Sequence, residues 1–176
     1  MDDRLLPIIY LSVLVVLLAG ASWFLIRQIL KTRRTEMTLA KLQNKLAQGK
    51  GTAQEHYELG SLLLDKRIYS QAIAQFQKAL KAKDLQVGEP TALIYNALGF
   101  AHAAQAQFDL AIKQYKEALE QFPEYSTALN NLGFAYEKKQ LTTQALEAYE
   151  HSLRINPQSK IAQRRVASLR KRLVLS

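Results

Sequence analysis

Two stretches of the chain repeat each other at a distance of thirty-four residues: Leu98-Gly99-Phe100 and Leu132-Gly133-Phe134. The correspondence continues in register through Tyr95 and Leu129, Ala111 and Ala145, Tyr115 and Tyr149, Ala118 and Ser152, and Pro123 and Pro157. An earlier copy aligns at Leu59-Gly60, with Ala72, Phe76 and Ala79 at the same offsets, but its next Gly follows thirty-nine residues on. About five residues are therefore inserted after its second helix, around Val87–Thr91. A fixed period of this length constrains the fold strongly. Each unit buries its apolar face only by stacking on its neighbours.

The period also explains why small residues recur where a core normally wants bulk. Tyr95, Leu98, Gly99 and His102 fall at i, i+3, i+4 and i+7, one stripe of an α-helix. After a turn at Gln105–Gln107, a second helix carries Ala111, Tyr115, Ala118 and Leu119 on one face. Gly99 and Ala111 let the two helices approach closely, and Leu98 and Tyr115 fill the space beside them. Ala118 is where the first helix of the next unit packs. Pro123 and Pro157 end the second helices, because proline lacks the amide donor and clashes with the preceding turn. The small residues make room for a helix, not for a substrate.

These residues follow the pattern W-x2-L-G-x2-Y…A-x3-F…P, and the chain resembles the tetratricopeptide repeat family. The resemblance implies an all-α helical-hairpin solenoid of three repeats at residues 53–86, 92–125 and 126–159. Gly60, Ala72, Gly99, Ala111, Ala118, Pro123, Gly133, Ala145 and Pro157 are its repeat-defining packing positions. Repeat one lacks the closing proline in register. Residues 160–176 place Ala162, Val166, Leu169 and Leu173 at i, i+4, i+7 and i+11, which predicts a basic capping helix over the last apolar surface.

The net charge of +9 suggests nucleic acid or membrane until it is divided. Residues 51–157 hold ten Lys/Arg against twelve Asp/Glu, so the repeat body is nearly neutral. Residues 27–50 carry seven basic residues against Glu36, and residues 158–176 carry six and no acid. The basicity sits at the two ends of the body. The tail has no interleaved aromatic residue to stack on a base, which argues against nucleic acid.

From Leu5 to Ile26 there are twenty-two residues without a charge. As a helix this run is about 33 Å long, enough to cross a hydrocarbon core of about 30 Å. Ala19-Gly20-Ala21 resembles a signal-peptidase site. However, Asp2, Asp3 and Arg4 are the wrong start for a secretory leader, and the apolar run continues through Trp23-Phe24-Leu25-Ile26. The expectation is an uncleaved anchor at residues 1–26. Arg27, Lys31, Arg33 and Arg34 follow it, predicting the N-terminus outside and the repeats on the cytoplasmic or stromal face. No transit-like segment is expected before the anchor. Residues 27–52 read as a basic juxtamembrane helix, with Leu39, Leu42 and Leu46 in register and a hinge at Gly49-Lys50-Gly51. Its cations serve either anionic headgroups or topology alone.

No chemistry-bearing constellation is present. His56, His102 and His151 lie too far apart for a local metal pair, and His56 and His102 fall on packing positions. There is no cysteine, no phosphate-binding glycine loop and no nucleophile elbow. The reading is non-enzymatic, without metal or cofactor.

What remains is the other face of each first helix. Positions two, five, nine and twelve point away from the hairpin partner and line a concave groove on stacking. They are Gln54, Tyr57, Ser61 and Leu64; then Leu93, Asn96, Phe100 and Ala103; then Thr127, Asn130, Phe134 and Glu137. Asn96 and Asn130 can each donate to and accept from a peptide backbone, and Phe100 and Phe134 add apolar contact. Family members that clamp a carboxylate use Lys and Asn where this chain has Tyr57 and Ser61. The layout of span, basic linker, three repeats and end helix resembles the membrane-anchored tetratricopeptide proteins of cyanobacteria and algal plastids that assist photosystem I assembly. That resemblance implies a thylakoid adaptor for photosystem I subunits or assembly intermediates. An adaptor for another membrane complex and a self-associating scaffold are the alternatives.

Overall fold

The computed structural model describes residues 5–49 and 51–175. Asp2, Asp3 and Arg4, and Lys50 of the expected hinge, lie outside the described residues. The described residues form eight α-helices and no strand: α1 (Leu5–Ala47), α2 (Ala53–Asp65), α3 (Tyr69–Leu80), α4 (Glu89–Ala104), α5 (Phe108–Gln121), α6 (Ser126–Lys138), α7 (Thr142–Ile155) and α8 (Lys160–Leu175). They divide into two compact units, residues 1–44 and 45–176.

The first unit holds most of α1. This helix runs without a break through the expected anchor–linker boundary at residue 26, because nothing between Leu5 and Ala47 after Pro7 is a helix breaker except Gly20. Every described side chain from Tyr10 to Leu30 is exposed.

The second unit is a stack of hairpins, α2–α3, α4–α5 and α6–α7, closed by α8 packed on α7. Gly60, Gly99 and Gly133 face the rings of Phe76, Tyr115 and Tyr149. A Cβ on these glycines would lie 2.6, 2.7 and 2.8 Å from the nearest ring carbon. Ala72, Ala111 and Ala145 are fully buried, as are Ala79 and Ala118. Ala118 packs against Ala92 and Ala128, joining α5 to the first helices of two repeats. At the end of the stack, Ala162, Val166 and Leu169 of α8 bury into the cluster that holds Leu132, Ala135 and Tyr149.

Each hairpin turn is made the same way. Arg67, Ala106 and Gln140 adopt φ of 61°, 58° and 61°, all at the fifteenth position of their repeats. The following amides, Ile68, Gln107 and Leu141, bond back to the carbonyls of Leu63, His102 and Tyr136 at 2.9, 3.0 and 2.9 Å. This is a Schellman ending carried by non-glycine residues.

The insertion in repeat one is divided between two structures. The loop at residues 81–88 takes part of it, and Gly88 turns the chain with φ of 92°. Glu89, Pro90 and Thr91 form an extra first turn of α4, where proline is favoured. The second repeat's first helix therefore starts three residues before the expected Ala92.

Candidate partner-binding groove

Positions two, five, nine and twelve form one stripe on each of α2, α4 and α6. Phe100 and Phe134 are 49% and 37% exposed, although Ile94, Leu98, Leu129 and Leu132 on the same helices are buried. Gln54 and Thr127 are exposed, while Tyr57, Ser61, Leu64, Leu93, Ala103, Asn96 and Asn130 are half-buried. The Ser61 hydroxyl donates to the Tyr57 carbonyl at 2.9 Å, and the Tyr57 ring lies 5.9 Å from that of Phe76. Lys138 Nζ sits 5.4 Å from the Phe134 ring centroid, a cation over an exposed aromatic face.

The two groove asparagines are in different surroundings. Asn96 donates to the Tyr125 hydroxyl at 3.3 Å and accepts from Asn131 Nδ2 at 2.9 Å. Its amide ties α4 to α6. Burial pushes the Tyr125 hydroxyl above its ordinary pKa, and the bond from Asn96 opposes that shift. Asn130 donates to Ser159 Oγ at 3.4 Å, but its Oδ1 is shut off from solvent with no partner among the described residues.

At the far end Glu137 is fully engaged. It accepts from the Tyr149 hydroxyl at 2.8 Å and from Arg172 Nη2 at 3.3 Å, and Arg165 Nε lies 3.6 Å away. Burial raises the Tyr149 pKa, and the Glu137 carboxylate raises it further. Glu137, read from the sequence as a groove residue, thus holds α8 to α6 and α7. The expected packing histidines also find partners: His56 Nδ1 meets Gln75 Oε1 at 2.9 Å, and His102 Nδ1 meets Gln107 Oε1 at 2.7 Å.

Residues 90–158 match the family model for the tetratricopeptide repeat. Over 160 residues the chain is 37% identical to ycf37 of Cyanophora paradoxa, covering 91% of each chain. The chain belongs to the ycf37 family of tetratricopeptide repeat proteins. It is 36% identical over 166 residues to the chloroplastic tetratricopeptide repeat domain-containing protein PYG7 of Arabidopsis thaliana, covering 94% of this chain and 55% of that one. It is 30% identical over 84 residues to the photosystem I assembly protein Ycf3 of Prochlorococcus marinus, 48% of this chain and 47% of that one. The solved first tetratricopeptide domain of Spaghetti (RPAP3), bound to an HSP90 peptide, superposes with a TM-score of 0.64 at 20% identity, covering 69% of this chain and 93% of that one. That likeness shows the fold, which in tetratricopeptide domains typically serves protein interaction rather than catalysis.

Two features of this ycf37-family chain escape sequence reasoning. A cleft of about 410 Å³ opens between α2 and α4, where Gln54, Tyr57 and Leu93 are joined by Asp84, Leu85 and Pro90 from the insertion. Asp84 caps α2, accepting the Ala53 amide at 3.1 and 3.2 Å, which only the folded loop reveals. A second cleft of about 540 Å³ lies between α5 and α7, lined by Leu129, Leu132 and Tyr136 with Glu147, His151 and Arg154. It lies off the stripe, and no periodic pattern marks it.

Proposed function

We propose that the chain is a single-span adaptor that holds protein partners in the groove of positions two, five, nine and twelve, and assists photosystem I assembly at the thylakoid membrane. The observation that carries the groove is the pair Phe100 and Phe134, exposed aromatic rings one repeat apart on the stripe, while Leu98 and Leu132 on the packing faces of the same helices are buried. Aromatic residues kept exposed at a fixed spacing suit a protein interface.

The anchor is supported by α1. An eighteen-residue window of it has a mean hydropathy of 2.0 and none of it is buried. Apolar surface in water costs about 25 cal/mol per Å², and a bilayer removes that cost. The cations from Arg27 onward favour the repeats on the cytoplasmic or stromal side. Photosystem I is favoured by the similarity to Ycf3 and by the layout shared with ycf37, and the chloroplastic relative supports the location.

The test is co-purification. A C-terminally tagged chain is solubilised from native membranes in mild detergent, and bound proteins are identified by mass spectrometry. Photosystem I subunits should be enriched with wild type and lost with Phe100→Asp plus Phe134→Asp. Equal recovery by the variant removes the groove from the account. Enrichment of an unrelated membrane complex removes photosystem I and keeps the adaptor.

A further inference from the structure

We propose that the basic line of α1 beyond the span is a docking surface for an acidic helix of a membrane-protein partner, which lies alongside α1 where it leaves the bilayer. Arg27, Arg34 and Lys41 pair with its carboxylates. The inference rests on the single-span reading above and involves no residue of the repeats.

The cations after the span favour one face of α1. Arg27, Arg34, Thr38, Lys41 and Lys45 fall at i, i+7, i+11, i+14 and i+18, a single line with the three-and-four spacing of a seam between two helices. Arg27, Arg34, Thr38 and Lys41 are exposed. Glu36, the one acid of residues 27–52, comes nine residues after Arg27 and therefore falls on the opposite face. A topology signal needs its charges on one side of the membrane, not on one side of a helix. Lys45 shows what a cation of this line takes. It pairs with the Glu55 carboxylate and holds that group below its ordinary pKa. Arg27, Arg34 and Lys41 meet no carboxylate among the described residues.

Lipid headgroups reach only the start of the line. With the hydrocarbon edge at Ile26, a rise of about 1.5 Å per residue puts Arg34 about 12 Å and Lys41 about 22 Å beyond it along α1. The headgroup layer is about 6 Å thick on each side, and the potential of an anionic surface fades within about 8 Å. Because α1 is unbroken through this stretch, it cannot both span the bilayer and lay Lys41 on its surface. A second copy brings the same cations and is repelled. A nucleic acid finds no aromatic ring between the cations to stack on. Two further features suit a helix. Leu30 and Met37, 54% and 72% exposed, run beside the line seven residues apart and offer apolar contact to its flank. Gly20, seven residues before Arg27, continues the line into the span, and a Cβ built there meets nothing within 4 Å among the described residues. Glycine weakens a helix, but in a span it lets a neighbouring helix approach closely. The occupant is therefore a helix that leaves the bilayer beside α1, with Asp or Glu at spacings of three and four on the face it turns to α1.

The test uses the full chain in a nonionic detergent at low salt. The probe is a fluorescent Ala-rich helical peptide with Glu at alternating spacings of three and four. Its control has the same composition, with the Glu residues spread around the helix. Exposed ion pairs are individually weak, so the line as a whole should favour the ordered peptide by about tenfold in anisotropy. Arg34→Glu with Lys41→Glu should abolish that preference and favour a peptide with Lys on the same line instead. Arg33→Glu with Lys160→Glu makes the same change of charge off the line and should leave the preference within about twofold. All four residues are exposed, so helical circular dichroism should match wild type in both variants. Equal binding of the two acidic peptides overturns the line, as does an equal loss in the two charge variants. Full competition by anionic vesicles or by a single-stranded oligonucleotide overturns the acidic helix as the occupant. Alkaline carbonate extraction of membranes reads the anchor separately. A chain that stays in the membrane but lacks the preference overturns the line and leaves the anchor. A chain that is extracted but keeps the preference overturns the anchor and leaves the line.

Discussion

Helices α6 and α8 are built on one plan and end differently. Ala128, Leu132 and Ala135 of α6 correspond to Ala162, Val166 and Leu169 of α8, and all six are buried against the preceding helix. The difference lies at the next position on the other flank. Gly133 in α6 lies under the Tyr149 ring, where a Cβ would come within 2.8 Å. Ala167 in α8 is exposed, with no helix laid over it among the described residues. Glycine is a poor helix residue, costing up to about 1 kcal/mol relative to alanine. The helices of the stack carry it only at Gly60, Gly99 and Gly133, where a ring of the partner helix comes too close for a side chain. At the corresponding place in α8 alanine returns, and α8 keeps the packing register of a repeat's first helix.

The sharpest way to break this comparison is to place the same bulk at both positions. Gly133→Leu should overpack the α6–α7 hairpin and cost about 3 kcal/mol, whereas Ala167→Leu should stay within about 0.5 kcal/mol. Urea titration of each variant, followed by helical circular dichroism, reads the difference. Similar midpoints would mean that the glycine register is not set by the aromatic ring.

Removing the link that holds α8 in place is the next largest effect. Glu137→Ala leaves the Tyr149 hydroxyl, Arg165 and Arg172 without their shared acceptor. The expected cost is about 2 kcal/mol, with amide exchange in α8 accelerated more than in α4. Asp109→Ala removes the exposed pair with Lys139, 3.0 Å long, and should cost less than about 0.5 kcal/mol. Uniform exchange across the helices of the Glu137 variant would show that the carboxylate does not specifically retain α8.

The features legible in the sequence are those that packing makes periodic. Gly99 and Gly133, Tyr115 and Tyr149, and Ala162 with Val166 and Leu169 each report a helix contact that recurs at fixed spacing. The turn at Gln105–Gln107 was legible as a break between helices, but its left-handed residue was not, since Arg67, Ala106 and Gln140 are ordinary residues held in that region by the hairpin. The extra turn of α4 was hidden because Pro90 reads equally as a loop residue and as a helix start. In the candidate groove, the stripe follows from register alone. The asparagine bonds do not, because they depend on a competition across helices. Asn131 donates to Asn96, whereas Arg165, one repeat on, lies against Glu137, and Asn130 Oδ1 has no partner among the described residues. A single sequence names those residues without saying which acceptor wins.

The hydroxyl of the hairpin ring offers a smaller test. Tyr149→Phe loses the bond to Glu137 and should cost about 1 kcal/mol at neutral pH. Repeat one already carries Phe76 at this place, so Tyr115→Phe should be nearly neutral there, as judged by urea midpoints. Equal costs would show that the tyrosine at Tyr149 owes nothing to its carboxylate partner.

The smallest effect appears only in alkali. Burial raises the pKa of Tyr115 and Tyr149 in the folded chain, and the Glu137 carboxylate adds to the rise at Tyr149. A folded pKa above the unfolded value means that the folded state holds its proton more tightly. The stabilisation is therefore complete below the unfolded value near 10 and is lost as pH rises from there toward the folded value. At pH 10 the unfolded chain has half-ionised each of these hydroxyls, which costs about 0.4 kcal/mol of stability per tyrosine. Tyr115→Phe should remove one such increment, making the fall in urea midpoint between pH 8 and pH 10 shallower than in wild type. Phe76 has no proton to lose, so Phe76→Tyr should steepen that fall instead. If the slope were the same in all three proteins, alkaline unfolding would belong to groups outside the hairpin rings, and the contact of ring on glycine would be purely steric.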